Sequence, residues 1–261
     1  MLVSARKIRG GKAAGKAVAC SCPISFLGGV DPSDGMILDQ ECESRGLSIS
    51  SAVFCFPYGK GSTVGSYAMY QMRLNGCAPA AIVNNSAEPI IATGAIISDI
   101  PMIDGVEIAL IRTGDELRVD ADERSLELPN VTEKHVVTSI VRSKSRILLL
   151  RRSDKVGSFK GKWAGVSGFM GSHEADEEAA RRELLEEIGM EHPRFSRRIE
   201  PQMFRDGDTV WCVHAFLVDA NDPKIKTDWE HQAFEWVKPK EVANYPTVPG
   251  LQQVICKLLS V

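Results

Sequence analysis

The chain has 261 residues, of which 44% are hydrophobic and 25% charged, so it can bury one large core or two of roughly 100 to 150 residues each. A formal net charge of −3 gives no electrostatic reason for nonspecific binding to nucleic acid or to an acidic membrane surface. No apolar run approaches the roughly 20 residues that span a bilayer, and the opening residues lack the apolar centre of a signal peptide, so a cytoplasmic protein is expected.

Residues 1–128 show short β-rich runs broken by glycine turns. Residues 17–22 read as a strand, 28–32 as a tight turn, and 47–56 as an apolar strand. That strand runs into a loop carrying Gly59, Lys60, Gly61, Ser62, Gly65 and Ser66, and residues 67–74 read as the helix after it, closed by Asn75 and Gly76. A strand, a glycine-rich loop and a helix in that order present several backbone N–H groups at a positive helix end, which suits an anion. It is not a Walker A loop, because Lys60 is followed by Gly61 rather than a hydroxyl residue. From glycine content alone, Ser62 and Ser66 read equally as turn or capping residues. The seven cysteines are odd in number and mostly in apolar contexts, so reduced thiols are expected. A metal site on Cys20, Cys22 and Cys42 is the weaker reading, since paired Cys-x-x-Cys spacing and a nearby histidine are both missing.

Pro129 and Asn130 interrupt the pattern before His135 opens a new strand, which predicts one unit over 1–129 and a second over 134–261 joined by a short linker. Residues 135–141 and 146–150 read as paired strands. Arg151, Arg152, Lys160 and Lys162 follow, either as phosphate contacts or as ordinary surface charge. A loop from Gly168 to Glu174 then leads into a helix with Asp176 as N-cap and Gly189 just past its end. At about 100° per residue, Glu183, Glu186 and Glu187 share one arc while Leu184, Leu185 and Ile188 lie opposite. Three crowded carboxylates repel one another when bare, but as hard oxygen ligands they suit Mg²⁺ or Mn²⁺. A solvated acidic face is the plain alternative. Strands are expected at 203–204 and 210–218 around a turn from Arg205 to Asp208, and a last helix from Pro239.

From Gly168 to Met190 the residues fit the motif Gly, five residues, Glu, seven residues, Arg-Glu-apolar-x-Glu-Glu-x-Gly-apolar at every fixed position. This segment resembles the Nudix hydrolases. The resemblance implies an α/β/α sandwich around a mixed sheet and metal-assisted cleavage of a nucleoside diphosphate linked to another group. It makes Glu183, Glu186 and Glu187 metal ligands, with Glu187 also catalytic. Arg182 and Glu174 become the pair bracing loop against helix, Gly168 and Gly189 the turn positions, and Glu230 stands where some members carry a general base.

The first half carries Gly15-x-Ala17, Pro23 to Phe26, Gly28-Gly29, Gly35, the Gly59 to Ser66 loop, Ala78 to Val83 and Gly94-Ala95-Ile96 in order. That set resembles the small subunit of the aconitase-X family. It implies a swivelling β/β/α domain and a separate large subunit that supplies an iron–sulfur cluster, since no cysteine constellation for one is evident in this half. Two-subunit members of that family resemble a dehydratase of mevalonate 5-phosphate. Ser62 corresponds to the proton acceptor, with Gly59, Lys60, Gly61, Gly65 and Ser66 around the substrate phosphate. The expected whole is a fused α/β chain acting on small phosphorylated substrates. The rivals are a silent swivel adaptor on a Nudix enzyme and a regulatory Nudix protein that only binds a metabolite.

Overall fold

The computed structural model describes residues 1–221 and 223–260, and the chain divides into two units, Met1–Thr132 and Glu133–Val261. The first contains β1 (Leu2–Ser4), β2 (Arg6–Arg9), β3 (Lys12–Ala19), a single turn α1 (Phe26–Gly29), β4 (Val53–Phe56), α2 (Gly65–Leu74), β5 (Ala81–Asn84), α3 (Pro89–Ile97), β6 (Met102–Asp104), β7 (Glu116–Asp120) and β8 (Ser125–Glu127). The strand order is β1-β8-β7-β3-β4-β5-β6-β2. β3 belongs to two sheets. Its first half, Lys12 to Lys16, pairs antiparallel with β7, and Ala17 to Ala19 pair parallel with β4. Burial follows the pairing: exposure alternates along the antiparallel half, whereas the parallel half, like β4 and β5, is buried throughout. An antiparallel sheet can face water on one side, and a parallel one is covered on both.

α2 and α3 lie together on the parallel sheet, where Met69, Met72, Ile91 and Ala95 close over Phe26, Phe54 and Phe56. The expected β/β/α domain is the one that forms. The strand predicted over 47–56 is confined to Val53–Phe56 because Ser51 takes a left-handed φ of 57° and stops the extended run. α3 begins where Pro89 needs no N–H partner and the Glu88 carboxylate accepts from Ile90 N at 2.9 Å and Ile91 N at 2.7 Å.

Cys20 and Cys42 form a disulfide within this core, their Cα atoms 5.4 Å apart. The expectation of reduced thiols throughout is therefore wrong, and the weaker idea of a metal on Cys20, Cys22 and Cys42 loses two of its sulfurs. A sequence separation of 22 carries no sign of the pairing, which arises only where the loop after β3 folds back onto its end.

The second unit contains β9 (Thr132–Ser143), β10 (Arg146–Arg152), β11 (Trp163–Ala164), β12 (Val166–Phe169), α4 (Asp176–Ile188), β13 (Arg194–Arg198), β14 (Gln202–Asp206), β15 (Thr209–Asp219), β16 (His231–Val237) and α5 (Leu251–Leu259). β9 and β15 lie side by side at the centre of one eight-stranded sheet. Alternation along β10 sends Ile147 and Leu149 to the layer of Val254, Ile255 and Leu258 on α5. Leu148 and Leu150 go to the layer of Leu184 and Ile188 on α4. The α/β/α sandwich thus follows from a strand that is apolar on both faces. The helix expected from Pro239 is only a 3₁₀ turn, Pro239–Asn244, and α5 starts later because Pro246 and Pro249 cannot donate the N–H bonds a continuous helix needs. Among the described residues, no helix is long and apolar enough to cross a membrane.

One buried charge anchors the edge of the first unit. Asp104 accepts from Arg6 Nε at 2.8 Å and Nη2 at 2.5 Å and from Ala87 N at 2.8 Å. Burial pushes the Asp104 carboxyl up, but Arg6 and the Ala87 N–H outweigh it, so it lies below its usual value. A carboxyl with a depressed folded pKa contributes stability above its unfolded value of about 3.9, lost as pH falls through the folded one. Asp104→Asn should lower unfolding free energy at pH 7 by about 1–3 kcal/mol. In denaturant titrations, the gap from wild type should narrow below about pH 4.

Candidate active site

β12 and α4 build the acidic site. β12 pairs with β9, Gly168 opposite Val137, and its edge passes directly over α4. A Cβ on Gly168 would lie 1.9 Å from Glu183 Oε1, so only glycine lets the carboxylate sit under the strand. α4 opens with Asp176, Glu177 and Glu178 in its first turn and ends at Gly189, whose φ of 71° closes the helix. The N-cap is Ala175 rather than Asp176, which stands one residue inside.

The plain alternative of a solvated acidic face does not hold, nor does the placing of Leu185 on the buried side. Glu183 and Glu187 are buried, only Glu186 is exposed, and Leu185 points outward at 50% exposure. The apolar stripe is Ala179, Ala180, Leu184 and Ile188, narrow enough that the same turn of helix tucks two glutamates under β12.

Arg182 and Glu174 brace each other as the motif implied. Arg182 donates from Nε and Nη2 to the two Glu174 oxygens at 2.9 and 3.0 Å and from Nη2 to the Phe169 carbonyl at 3.0 Å. With a Gly171 N–H also bound, the Glu174 carboxyl is held down at about 2. Arg182 Nη1 reaches Glu183 and Glu186. Burial pushes Glu183 up, with Arg182 opposing, and pushes Glu187 well up, with the Glu183 charge adding to it. Glu187 accepts one 3.3 Å bond, from Ser167 N. His231 Nε2 lies 3.7 Å from it, buried and without a hydrogen bond, while His231 Nδ1 meets Asp228 at 3.1 Å. The oxygens of Glu183, Glu186 and Glu187 do not all lie within 4.8 Å of one another, but the two buried carboxylates are desolvated and under-bonded, which a hard divalent cation satisfies. The residues present fit Mg²⁺ or Mn²⁺.

A cleft of about 680 Å³ opens beside them, lined by Glu183, Glu186 and Glu230. Burial, then the Asp228 charge, pushes the Glu230 carboxyl up. Of the basic residues expected near phosphate, Arg152 reaches the cleft, joined by Lys134 and Lys155; Lys160 and Lys162 do not line it. Phe169, Trp211 and Trp229 supply aromatic wall, and Lys134 Nζ lies 6.0 and 5.6 Å from the first two ring centres. Sequence reasoning missed Asp228, Lys134 and these rings. Alternation along β15 would have found Trp211, which shares a face with Val213.

In the first unit the Ser62 loop lies between β4 and α2. Ser62 is exposed, its Oγ accepting from Val64 N at 3.3 Å just ahead of the helix. Gly59 is required by close approach, since a Cβ there would sit 2.3 Å from Ile91 Cγ1. Gly61 has a φ of 105°, Gly65 and Ser66 are buried in the first turn of α2, and Ser66 Oγ donates to the Thr63 carbonyl at 2.8 Å. Lys60 Nζ pairs with Glu41 at 3.1 Å and Asp39 at 3.3 Å, so the charge expected beside the substrate phosphate is already engaged.

Fold and sites define a two-domain α/β chain with an anion-type loop in one half and a carboxylate centre in the other. Residues 2–128 match the family described as the aconitase X swivel domain, and residues 133–258 that described as the NUDIX domain. The phosphomevalonate dehydratase small subunit of Thermococcus kodakarensis is 52% identical over 128 residues, 49% of this chain and 96% of that protein. The crystal structure of aconitase X from the same organism, in its holo-form, superposes with a TM-score of 0.48 at 52% identity, over 49% of this chain and 98% of that one. The E. coli ORF135 protein superposes with a TM-score of 0.42 at 26% identity, over 49% of this chain and 90% of that one. The chain belongs to the aconitase X swivel domain family through its first half and carries a Nudix domain as its second.

Gly168→Ala should leave the fold intact but shift Glu183 by about an ångström, which costs on the order of 100-fold in a positioned reaction. Diphosphate hydrolysis with Mg²⁺ beside a circular dichroism spectrum checks this; unchanged turnover would contradict the close packing.

Proposed function

We propose that the chain fuses the small subunit of a phosphomevalonate dehydratase, over residues 1–129, to a Mg²⁺-dependent Nudix diphosphate hydrolase, over residues 134–261. For the first half, the observation that carries the reading is identity of 52% across 96% of a dehydratase small subunit. In the second half it is the buried pair Glu183 and Glu187 beneath Gly168.

In the hydrolase, Glu183, Glu186 and Glu187 would hold Mg²⁺ or Mn²⁺, which would supply Lewis-acid stabilisation of negative charge. Arg182 keeps the loop and helix in register by clamping Glu174 and the Phe169 carbonyl. Arg152, Lys134 and Lys155 face the phosphates, and Phe169, Trp211 and Trp229 offer surfaces for the group attached to them. Glu230, its carboxyl raised by burial, stands at the cleft as the group to take a proton from attacking water. Isoprenoid-route diphosphates belong beside nucleotides among trial substrates, a choice resting on the fusion alone.

In the dehydratase half, Ser62 is the proton acceptor. Its hydroxyl is exposed at the positive end of α2, where a developing alkoxide is favoured, and the Gly59, Lys60, Gly61, Gly65 and Ser66 loop cradles the substrate phosphate. The iron–sulfur cluster and the rest of that site belong to a large-subunit partner. On mevalonate 5-phosphate the product would be trans-anhydromevalonate 5-phosphate.

Two measurements test these roles. With Mg²⁺ and a panel of diphosphates, Glu187→Gln should lower kcat at least about 100-fold; equal background rates in variant and wild type would leave a domain that only binds a metabolite. After anaerobic co-expression with a large subunit, Ser62→Ala should abolish dehydration while the complex still assembles. Undiminished dehydration would remove Ser62 from the mechanism.

A further inference from the structure

On the α4 side of the second unit's sheet, away from the residues of the carboxylate centre, three other ligating side chains converge. Cys212 and His214 stand two apart on β15 and so point to the same face, and His135 comes from the neighbouring β9. His135 Nδ1 is 3.2 Å from His214 Nε2, and the Cys212 sulfur is 3.8 Å from that same nitrogen. All three donor atoms lie within 4.8 Å of one another. A tetrahedral zinc centre with Zn–N of about 2.0–2.1 Å and Zn–S of about 2.3 Å places its nitrogens about 3.3 Å apart and its sulfur about 3.5 Å from each. The two contacts of His214 lie near that spacing, and the Cys212 sulfur is within 4.8 Å of His135 Nδ1.

The outer nitrogens decide what the inner ones can do. His214 Nδ1 lies 3.1 Å from Asp176 Oδ2, a carboxylate oxygen held in turn by Arg198 Nη2 at 2.6 Å. His135 Nε2 lies 3.2 Å from Glu133 Oε1. A carboxylate only accepts, so His214 carries its proton on Nδ1, facing Asp176, and presents the Nε2 lone pair to the cluster. His135 Nδ1 lies 3.2 Å from that lone pair, a spacing at which the two nitrogens can share either a proton or a metal cation. Carboxylates behind ligating histidines are the usual outer shell of a zinc site, where they set the tautomer and aim the lone pair.

We propose that His135, Cys212 and His214 form a second metal site, selective for Zn²⁺ or a similar thiophilic divalent ion, with Asp176 and Glu133 as positioning residues. Two imidazoles and a thiolate bind such ions far better than Mg²⁺, which prefers all-oxygen ligands. The two centres of this unit thus take different metals. Three protein ligands leave a fourth position, which faces solvent on the side of His135, whose side chain is 50% exposed. Zinc there ties β9 to β15 and, through Asp176, to the first turn of α4, the helix that carries the glutamates.

The test uses the full chain, stripped with chelator and held in excess Mg²⁺ so that the carboxylate centre is occupied, then titrated with Co²⁺ as a coloured stand-in for zinc. One equivalent should produce a thiolate-to-cobalt charge-transfer band with the intense ligand-field bands of a four-coordinate ion, and Zn²⁺ should bleach both. Cys212→Ser should remove the charge-transfer band. Asp176→Asn should weaken Co²⁺ binding by about 10–100-fold while leaving the saturated spectrum unchanged, as expected of a residue that aims a ligand. If Cys212→Ser fails to fold by circular dichroism, His135→Gln at the exposed corner takes its place and should lose the four-coordinate spectrum. Absence of any thiolate band in the wild type would show that the two histidines share only a proton and overturn the proposal. A band that persists in Cys212→Ser, as from the free cysteines Cys22 or Cys256, would overturn it too.

Discussion

Two glutamates of one helix, Glu183 and Glu187, are buried against a β-strand, and much of the second unit answers that burial. Desolvated like charges are unfavourable unless something nearby takes them up. Arg182 takes up part of Glu183, which lines the cleft, and a single N–H from Ser167 serves Glu187, which does not. Gly168 belongs to the same solution, since any side chain there would occupy the position of the Glu183 carboxylate. The apolar packing of Ala179, Ala180, Leu184 and Ile188 holds the helix on the sheet while the charges stay strained. A site of this kind is less stable empty than a plain apolar helix would be, an instability that a bound cation would relieve.

The first unit solves a different problem, how to expose a glycine-rich loop on a rigid base. β3 changes partners halfway along, so one sheet is open to water on one side and the other is covered on both. The Ser62 loop leaves the covered sheet directly from β4 and enters α2, whose Met69 and Met72 lie in the core beneath. Packing therefore fixes both ends of a segment whose middle is solvent-accessible. Lys60 is drawn to Asp39 and Glu41, so the local positive field at Ser62 comes from backbone N–H groups and the helix end more than from a side chain.

Residues near in sequence were the legible ones. The Glu174–Arg182 clamp, the glycine closing α4 and the two-residue turn between β14 and β15 depend on neighbours within one helix, loop or hairpin, and all three form. Pairings across long separations were not legible. Cys20 with Cys42 depends on how a loop folds back, Asp228 with His231 and Glu187 on where β16 meets α4, and His135 with Cys212 and His214 on which strand lies beside β9. Leu185 and Glu183 show a subtler limit. Helical spacing places them on opposite faces correctly, but it does not say which face the sheet covers, and here part of the acidic one is buried.

From the sequence alone came the two-part division and the motif from Gly168 to Met190, because turn residues and fixed spacings are properties of a local stretch of chain, while the α/β class of each half came from the family resemblances. The tertiary structure alone decided that Glu183 and Glu187 are desolvated, that Lys60 is engaged and that His135, Cys212 and His214 converge. Burial and electrostatics depend on distance through space, and that distance exists only once the strands are in order.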